Sequence, residues 1–167
     1  DAIGHCRALL DAMGQGVEIV GAEPAAASVV KIAGNFLLAS AIEAMGEAFT
    51  LVRKYGIDPA RFLEIANGRL LRSPIYESYG GLIAAERYEP AGFKLEHGLK
   101  DVRLALDAGG EVAAPLPLAS LMRDHFLAAV AWGYMAYEAR AMYQTGICQC
   151  AGMKMSGPDK CIPPCSN

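Results

Sequence analysis

Apolar residues recur at helical spacing through most of this chain, and the breaks in that spacing fall at Gly, Pro and short N-capping residues. Residues 5–13 predict a short helix ended by Gly14-Gln15-Gly16, and Val17-Glu18-Ile19-Val20 predicts a short strand closed by Gly21. A lone strand cannot make a sheet, so this segment is expected to pair with another chain or to lie as a loose arm. Pro24 suits the first position of a helix and Glu23 its positive end; helical character then continues to about Lys54, with Gly56 as the stop. At 1.5 Å per residue such a helix is about 45 Å long. Its residues between Ile32 and Ala44 are apolar on nearly every side, which predicts a helix buried all round and covered in part by a second subunit.

Four shorter helices follow. Asp58-Pro59 opens one that ends near Gly68, and Ser73-Pro74 opens another running to about Glu86. Phe93 to Ala108 is a third, with Gly109-Gly110 as its terminator. Ala114-Pro115-Leu116-Pro117 leads rigidly into the last, from about Leu118 to Trp132, which stops at Gly133. Ala136 to Gln144 is expected to add a turn or two, and residues 145–167 lack periodicity. The expected fold is an all-α helical bundle built on one long central helix (about 24–54), preceded by a short helix-strand remnant of an α/β domain. The expected organisation is 1–21 for that remnant, 22–144 for the helical domain and 145–167 for an irregular, Cys-rich tail.

Composition narrows the class. Apolar residues make up 53% of the chain, enough for a real core. The 15 Lys and Arg are scattered in a chain of net charge −3, which gives no nucleic-acid surface. No unbroken apolar run reaches the roughly 18 residues of a membrane span: Lys31, Glu43 and Glu47 interrupt the longest, and Arg123 with Asp124 the next. The start shows no basic segment followed by an apolar one, so no leader and a cytoplasmic location are expected. Cys6 stands alone, whereas Cys148, Cys150, Cys161 and Cys165 crowd the tail as C-x-C-x10-C-x3-C. That is a poor match to zinc-knuckle spacing, so no metal site is expected, with metal and disulfide as the alternatives.

Two segments could carry chemistry. Lys31 and Asn35 are one helical turn apart and leave the same helix face, so both could meet one ligand. A lysine desolvated among Val, Ile and Phe could exchange a proton with a substrate hydroxyl, the asparagine fixing its orientation. The plainer reading is a marginal lysine whose stem covers apolar surface, and an asparagine capping a loop. The second segment runs from Phe93 to Leu106; Leu95, Leu99, Val102 and Leu106 form its apolar stripe, beside which stand Lys100 and Asp101. Read alone, that Lys and Asp are a solvated pair. His5, His97 and His125 read as surface or packing residues, Trp132 as a packing anchor, and no G-x-G-x-x-G occurs.

Together these segments resemble the C-terminal half of the β-hydroxyacid dehydrogenases, relatives of 6-phosphogluconate dehydrogenase. Lys31-Ile32-Ala33-Gly34-Asn35 matches the family's K-x-x-x-N, and Phe93, Leu95, Lys100, Asp101, Leu104 and Ala105 match its F-x-L-x-L-x-x-K-D-x-x-L-A. Residues 41–48, Gly56-Ile57-Asp58-Pro59 and Pro117-Leu118-Ala119-Ser120 are similar to it as well. The resemblance implies a Rossmann domain binding NAD or NADP, a helical domain that dimerises, and an active site between the two. It implies Lys31 as general acid/base, Asn35 as a substrate ligand, Lys100 beside substrate and cofactor, and Asp101 and Phe93 behind them. A Lys at position 31 favours hydroxyacid chemistry over imine reduction.

This sequence departs from the family in three ways. The cofactor domain has no counterpart beyond residues 1–20; Ala25 and Ala27 replace the glycines before the lysine; and the family's G-x-G-D-x-D-x-S-A-L ending is absent after Trp132. The chain is accordingly expected to be an inactive substrate-binding and dimerisation half, binding no cofactor alone. A separate Rossmann domain and a small hydroxy or keto acid are its expected partners. The alternatives are a non-catalytic dimerisation module and a small-acid binder.

Overall fold

The computed structural model describes residues 2–87 and 90–134, together with the backbone of 154–155 and 161–162. Among the described residues six helices follow one another: α1 (Ala2–Met13), α2 (Pro24–Lys54), α3 (Pro59–Arg69), α4 (Pro74–Ala84), α5 (Leu95–Glu111) and α6 (Pro117–Ala131). Two-residue strands β1 (Lys154–Met155) and β2 (Cys161–Ile162) pair antiparallel, Lys154 opposite Ile162 and Met155 opposite Cys161. The fold is all-α. The turn expected at 136–144 and the side chains of Cys148, Cys150, Cys161 and Cys165 lie outside the described residues.

The chain divides into two compact units, Asp1–Lys31 and Ile32–Asn167. In the first, α1 buries none of its residues. The strand expected at Val17–Val20 does not form: its backbone has no ladder to join, and Ile19 and Val20 remain exposed. These residues instead line an open groove of about 300 Å³ with Ile3, Leu10 and Ala27.

In the second unit the core gathers Ile42, Met45 and Phe49 of α2, Ile83 of α4, Leu95, Leu99 and Val102 of α5, and Met122 and Phe126 of α6. Phe62 of α3 meets Phe49 edge to face at 6.0 Å. The α5 stripe read from the sequence is the one that is buried, with Leu106 partly covered, and Trp132 packs against the same core. The Asp58 side chain caps α3 and that of Ser73 caps α4, each before a proline at N1.

The ends of α2, α4, α5 and α6 share one geometry with different residues. After α2, Gly56 adopts φ 73°, and Gly56 N–H and Ile57 N–H donate back to Arg53 and Val52 at 2.9 and 3.0 Å. Gly133 closes α6 in the same way, its φ being 88°. The ends of α4 and α5 use Glu86 (φ 53°) and Ala113 (φ 55°) in that left-handed position. Glu86 is held there by Arg53, whose Nη2 reaches its Oε1 at 3.1 Å and donates to the Ala84 carbonyl at 3.1 Å.

Two expectations about termination and burial change. Helix α5 does not stop at Gly109-Gly110 but runs through both to Glu111. Gly109 is needed for close approach instead: a Cβ there would lie 2.8 Å from the Ala114 carbonyl oxygen. Helix α2 is not buried all round either. Its buried positions are Ile42, Glu43, Met45, Gly46 and Phe49, whereas Val29, Val30, Leu37 and Leu51 are exposed, because one chain covers only one side of its C-terminal half. By length and composition alone, α2 is also apolar enough to cross a bilayer. Counting unbroken runs hid this, since a mean over a window tolerates a lone Lys31. Core helices of folded domains pass the same test, and Ile42, Met45 and Phe49 seat the C-terminal half of α2 in the core, while its apolar N-terminal half is little buried.

Candidate active site

Helices α2 and α5 bring Asn35 and the Lys100-Asp101 pair together across 66 positions of sequence. Asn35 Nδ2 donates to Asp101 Oδ2 at 2.9 Å, and Lys100 Nζ lies 3.1 Å from Asp101 Oδ1. The Asp101 side chain is 16% exposed and that of Lys100 64%, so a mostly buried carboxylate pairs with the ammonium of a side chain that largely faces solvent. A carboxylate can only accept, so the amide must turn its NH2 toward Asp101. Its Oδ1 is thereby set as an acceptor, suited to a ligand hydroxyl. The same carboxylate spends one oxygen on each partner, which fixes Asn35 and Lys100 relative to each other.

The other predicted residues fall as follows. Lys31 is exposed on α2, with Val29 and Val30 half-exposed rather than packed around it, so these residues do not desolvate its ammonium. Phe93, just before α5, is also exposed and stacks obliquely on His97, ring centroids 5.8 Å apart. Among the described residues no cluster of His, Cys, Asp and Glu could hold a metal ion.

Sequence reasoning missed one buried polar pair. Glu43 of α2 is 2% exposed, and its Oε1 lies 2.7 Å from Nδ1 of His125 on α6. Hydrogen bonding to Glu43 raises the pKa of His125 above its ordinary value; burial opposes this, and the charges of Glu43, Glu47 and Asp124 reinforce it. The signal available in the sequence was Glu43 itself, a carboxylate in an apolar helical stretch, whose partner lies 82 positions away (125 less 43).

Residues 25–145 match the family model described as the NAD-binding domain of NADP-dependent 3-hydroxyisobutyrate dehydrogenase. The chain belongs to this 3-hydroxyisobutyrate dehydrogenase-like family of NAD(P)-dependent hydroxyacid dehydrogenases. It is 46% identical over 126 residues to the uncharacterized oxidoreductase YfjR of Bacillus subtilis, an alignment covering 75% of this chain and 44% of that protein. It is 28% identical over 124 residues to the chloroplastic glyoxylate/succinic semialdehyde reductase 2 of Arabidopsis thaliana, covering 74% of this chain and 34% of the relative. The crystal structure of 3-hydroxyisobutyrate dehydrogenase from Salmonella typhimurium superposes with a TM-score of 0.77 at 26% identity, over 86% of this chain and 50% of that one. The chain thus spans less than half the length of these two curated relatives.

Proposed function

We propose that this chain is the substrate-binding and dimerising helical half of a hydroxyacid dehydrogenase or semialdehyde reductase. The observation that carries the reading is the Asn35–Asp101–Lys100 arrangement, which combines an oriented acceptor with an exposed cation. Such a pair suits a small acid carrying a hydroxyl or carbonyl next to its carboxylate: Lys100 takes the anion, and Asn35 the oxygen substituent. Oxidation of the alcohol takes a hydride from its carbon and a proton from its hydroxyl. Lys31 is assigned the proton, as the family resemblance implies.

A bound NAD or NADP supplies the hydride acceptor. The residues described here fit one side of such a group: Lys100 offers a solvent-facing cation, while residues 1–167 carry no Gly-rich phosphate turn. The 167-residue polypeptide by itself is therefore assigned no turnover and no tight hold on cofactor, and works with a dinucleotide-binding domain. We place it in the cytoplasm, with α2 as a helix of the folded domain rather than a membrane span.

A second copy is the proposed cover for α2. Leu37, Ala44 and Leu51 stand exposed at seven-residue intervals, which aligns them along one face. Sedimentation should give a dimer at micromolar concentration; a monomer removes this part of the reading. For the site itself, calorimetric titration with 3-hydroxyisobutyrate or glyoxylate should give heat that Lys100→Ala and Asn35→Ala each abolish. Heat that persists in both variants places the acid elsewhere. An absence of heat in the parent chain leaves a dimerisation module as the better description.

A further inference from the structure

Glu43 and His125 lie outside the Asn35–Asp101–Lys100 arrangement, and nothing proposed above uses them. Glu43 is buried on α2 between the core residues Ile42 and Met45, and His125 adjoins the fully buried Phe126. Oε1 of Glu43 faces His125 Nδ1 at 2.7 Å, while its Oε2 has no hydrogen-bond partner among the described residues. A carboxylate buried this deeply is costly unless a cation compensates it. His125 is the group placed to do so.

We propose that Glu43 and His125 form a proton-dependent clasp between α2 and α6, which tightens the long helix against the bundle when His125 is charged and relaxes when it is not. The charges that raise the pKa of His125 are those of Glu43 and Glu47 from α2 and of Asp124 from α6. Arg123, the nearest cation in sequence, is engaged by Asp124 at 2.8 Å. All three acting charges are negative, so the surroundings favour the imidazolium, and burial of the ring works against it. A histidine whose folded pKa is raised lends stability that is fully present below its unfolded value of about 6.5. That stability is lost as pH climbs through the higher folded value. The clasp is therefore fully engaged below about pH 6.5 and released as pH rises through the higher folded value. Glu43 lies about two turns beyond Asn35 on the same helix.

The test is an NMR titration of the three histidines in the full chain, with His5→Gln and His97→Gln variants identifying the His125 signal. His125 should titrate above the exposed His5, and Glu43→Gln should lower its midpoint by about one pH unit or more. A midpoint at or below that of His5, or one that Glu43→Gln leaves unmoved, overturns the clasp. Thermal unfolding gives an independent reading: the loss of melting temperature in Glu43→Gln should be greatest near pH 5.5 and shrink toward pH 8.5. A loss that is the same at both ends assigns the pair a merely structural role. If Glu43→Gln does not fold, the parent-chain titration decides alone, on whether His125 lies above His5.

Discussion

Asp101 shows how one side chain can order two others. Its carboxylate takes the Asn35 amide on one oxygen and the Lys100 ammonium on the other, at 2.9 and 3.1 Å. Replacing it by Ala strands a partly buried amide, which should cost about 1–3 kcal/mol of stability by urea unfolding. A change within a few tenths would mean that the amide finds water without cost. Lys31→Ala should behave oppositely: the side chain is exposed, so stability should stay within about 0.5 kcal/mol of the parent. Much of this scale was readable in the sequence. Lys31, Asn35, Lys100 and Asp101 could be picked out by spacing and by their place beside apolar stripes. The Asn35–Asp101 bond could not, because periodicity places a residue on a face and says nothing about which face it meets. Glu43 was visible only as an interruption in an apolar run. Its partner could be found only once α6 was packed against α2.

At the scale of elements, the starts of α2 to α6 were legible to within two residues and one stop was not. Asp58-Pro59 and Ser73-Pro74 cap α3 and α4 by a local mechanism, an oxygen accepting an N–H one turn ahead, so sequence suffices. Gly56 and Gly133 were read correctly for the same reason. Gly109-Gly110 misled because a helical glycine can answer to a neighbour rather than to a turn: the Ala114 carbonyl and Leu116 occupy the space a Cβ would take. Gly109→Ala should then destabilise by about 1–3 kcal/mol, since backbone must move. The true stop is Ala113 at φ 55°, a conformation that costs a residue with a Cβ about 1 kcal/mol. Ala113→Gly should therefore raise stability by up to about 1 kcal/mol, less the greater freedom of glycine in the unfolded chain. Chemical unfolding of the two variants checks both signs, and a stabilised Gly109→Ala would contradict the packing described.

At the scale of the molecule, the distribution of exposed apolar residues is the main finding. Leu9, Met13 and Ile19 in the first unit, and Leu37, Leu51 and Leu70 in the second, all face solvent. Scattered singly such residues are ordinary, but Leu37 and Leu51 share one face of α2 with Ala44, and an aligned apolar face of this kind suits a covering surface. The sequence announced this as a helix apolar on every side, but a single chain covers it on one side only. Membership of the 3-hydroxyisobutyrate dehydrogenase-like family, with less than half the length of its curated relatives spanned, fits the proposal of a second copy and a dinucleotide-binding domain as those covers. The fold class followed from local periodicity; a second subunit over α2 could be expected from its apolar faces, but periodicity does not say which face one chain leaves open.

As proposed, these residues supply the proton-transfer and acid-binding side of a hydroxyacid dehydrogenase. The most direct test of this is NADPH oxidation with glyoxylate or succinic semialdehyde, measured on residues 1–167 alone and joined to a dinucleotide-binding domain of the same family. The chain alone should show no turnover, the joined protein should reduce at least one substrate, and Lys31→Ala in it should lower kcat by about 10²–10⁴-fold. Turnover by the 167 residues alone, or a joined protein indifferent to Lys31→Ala, would contradict the account.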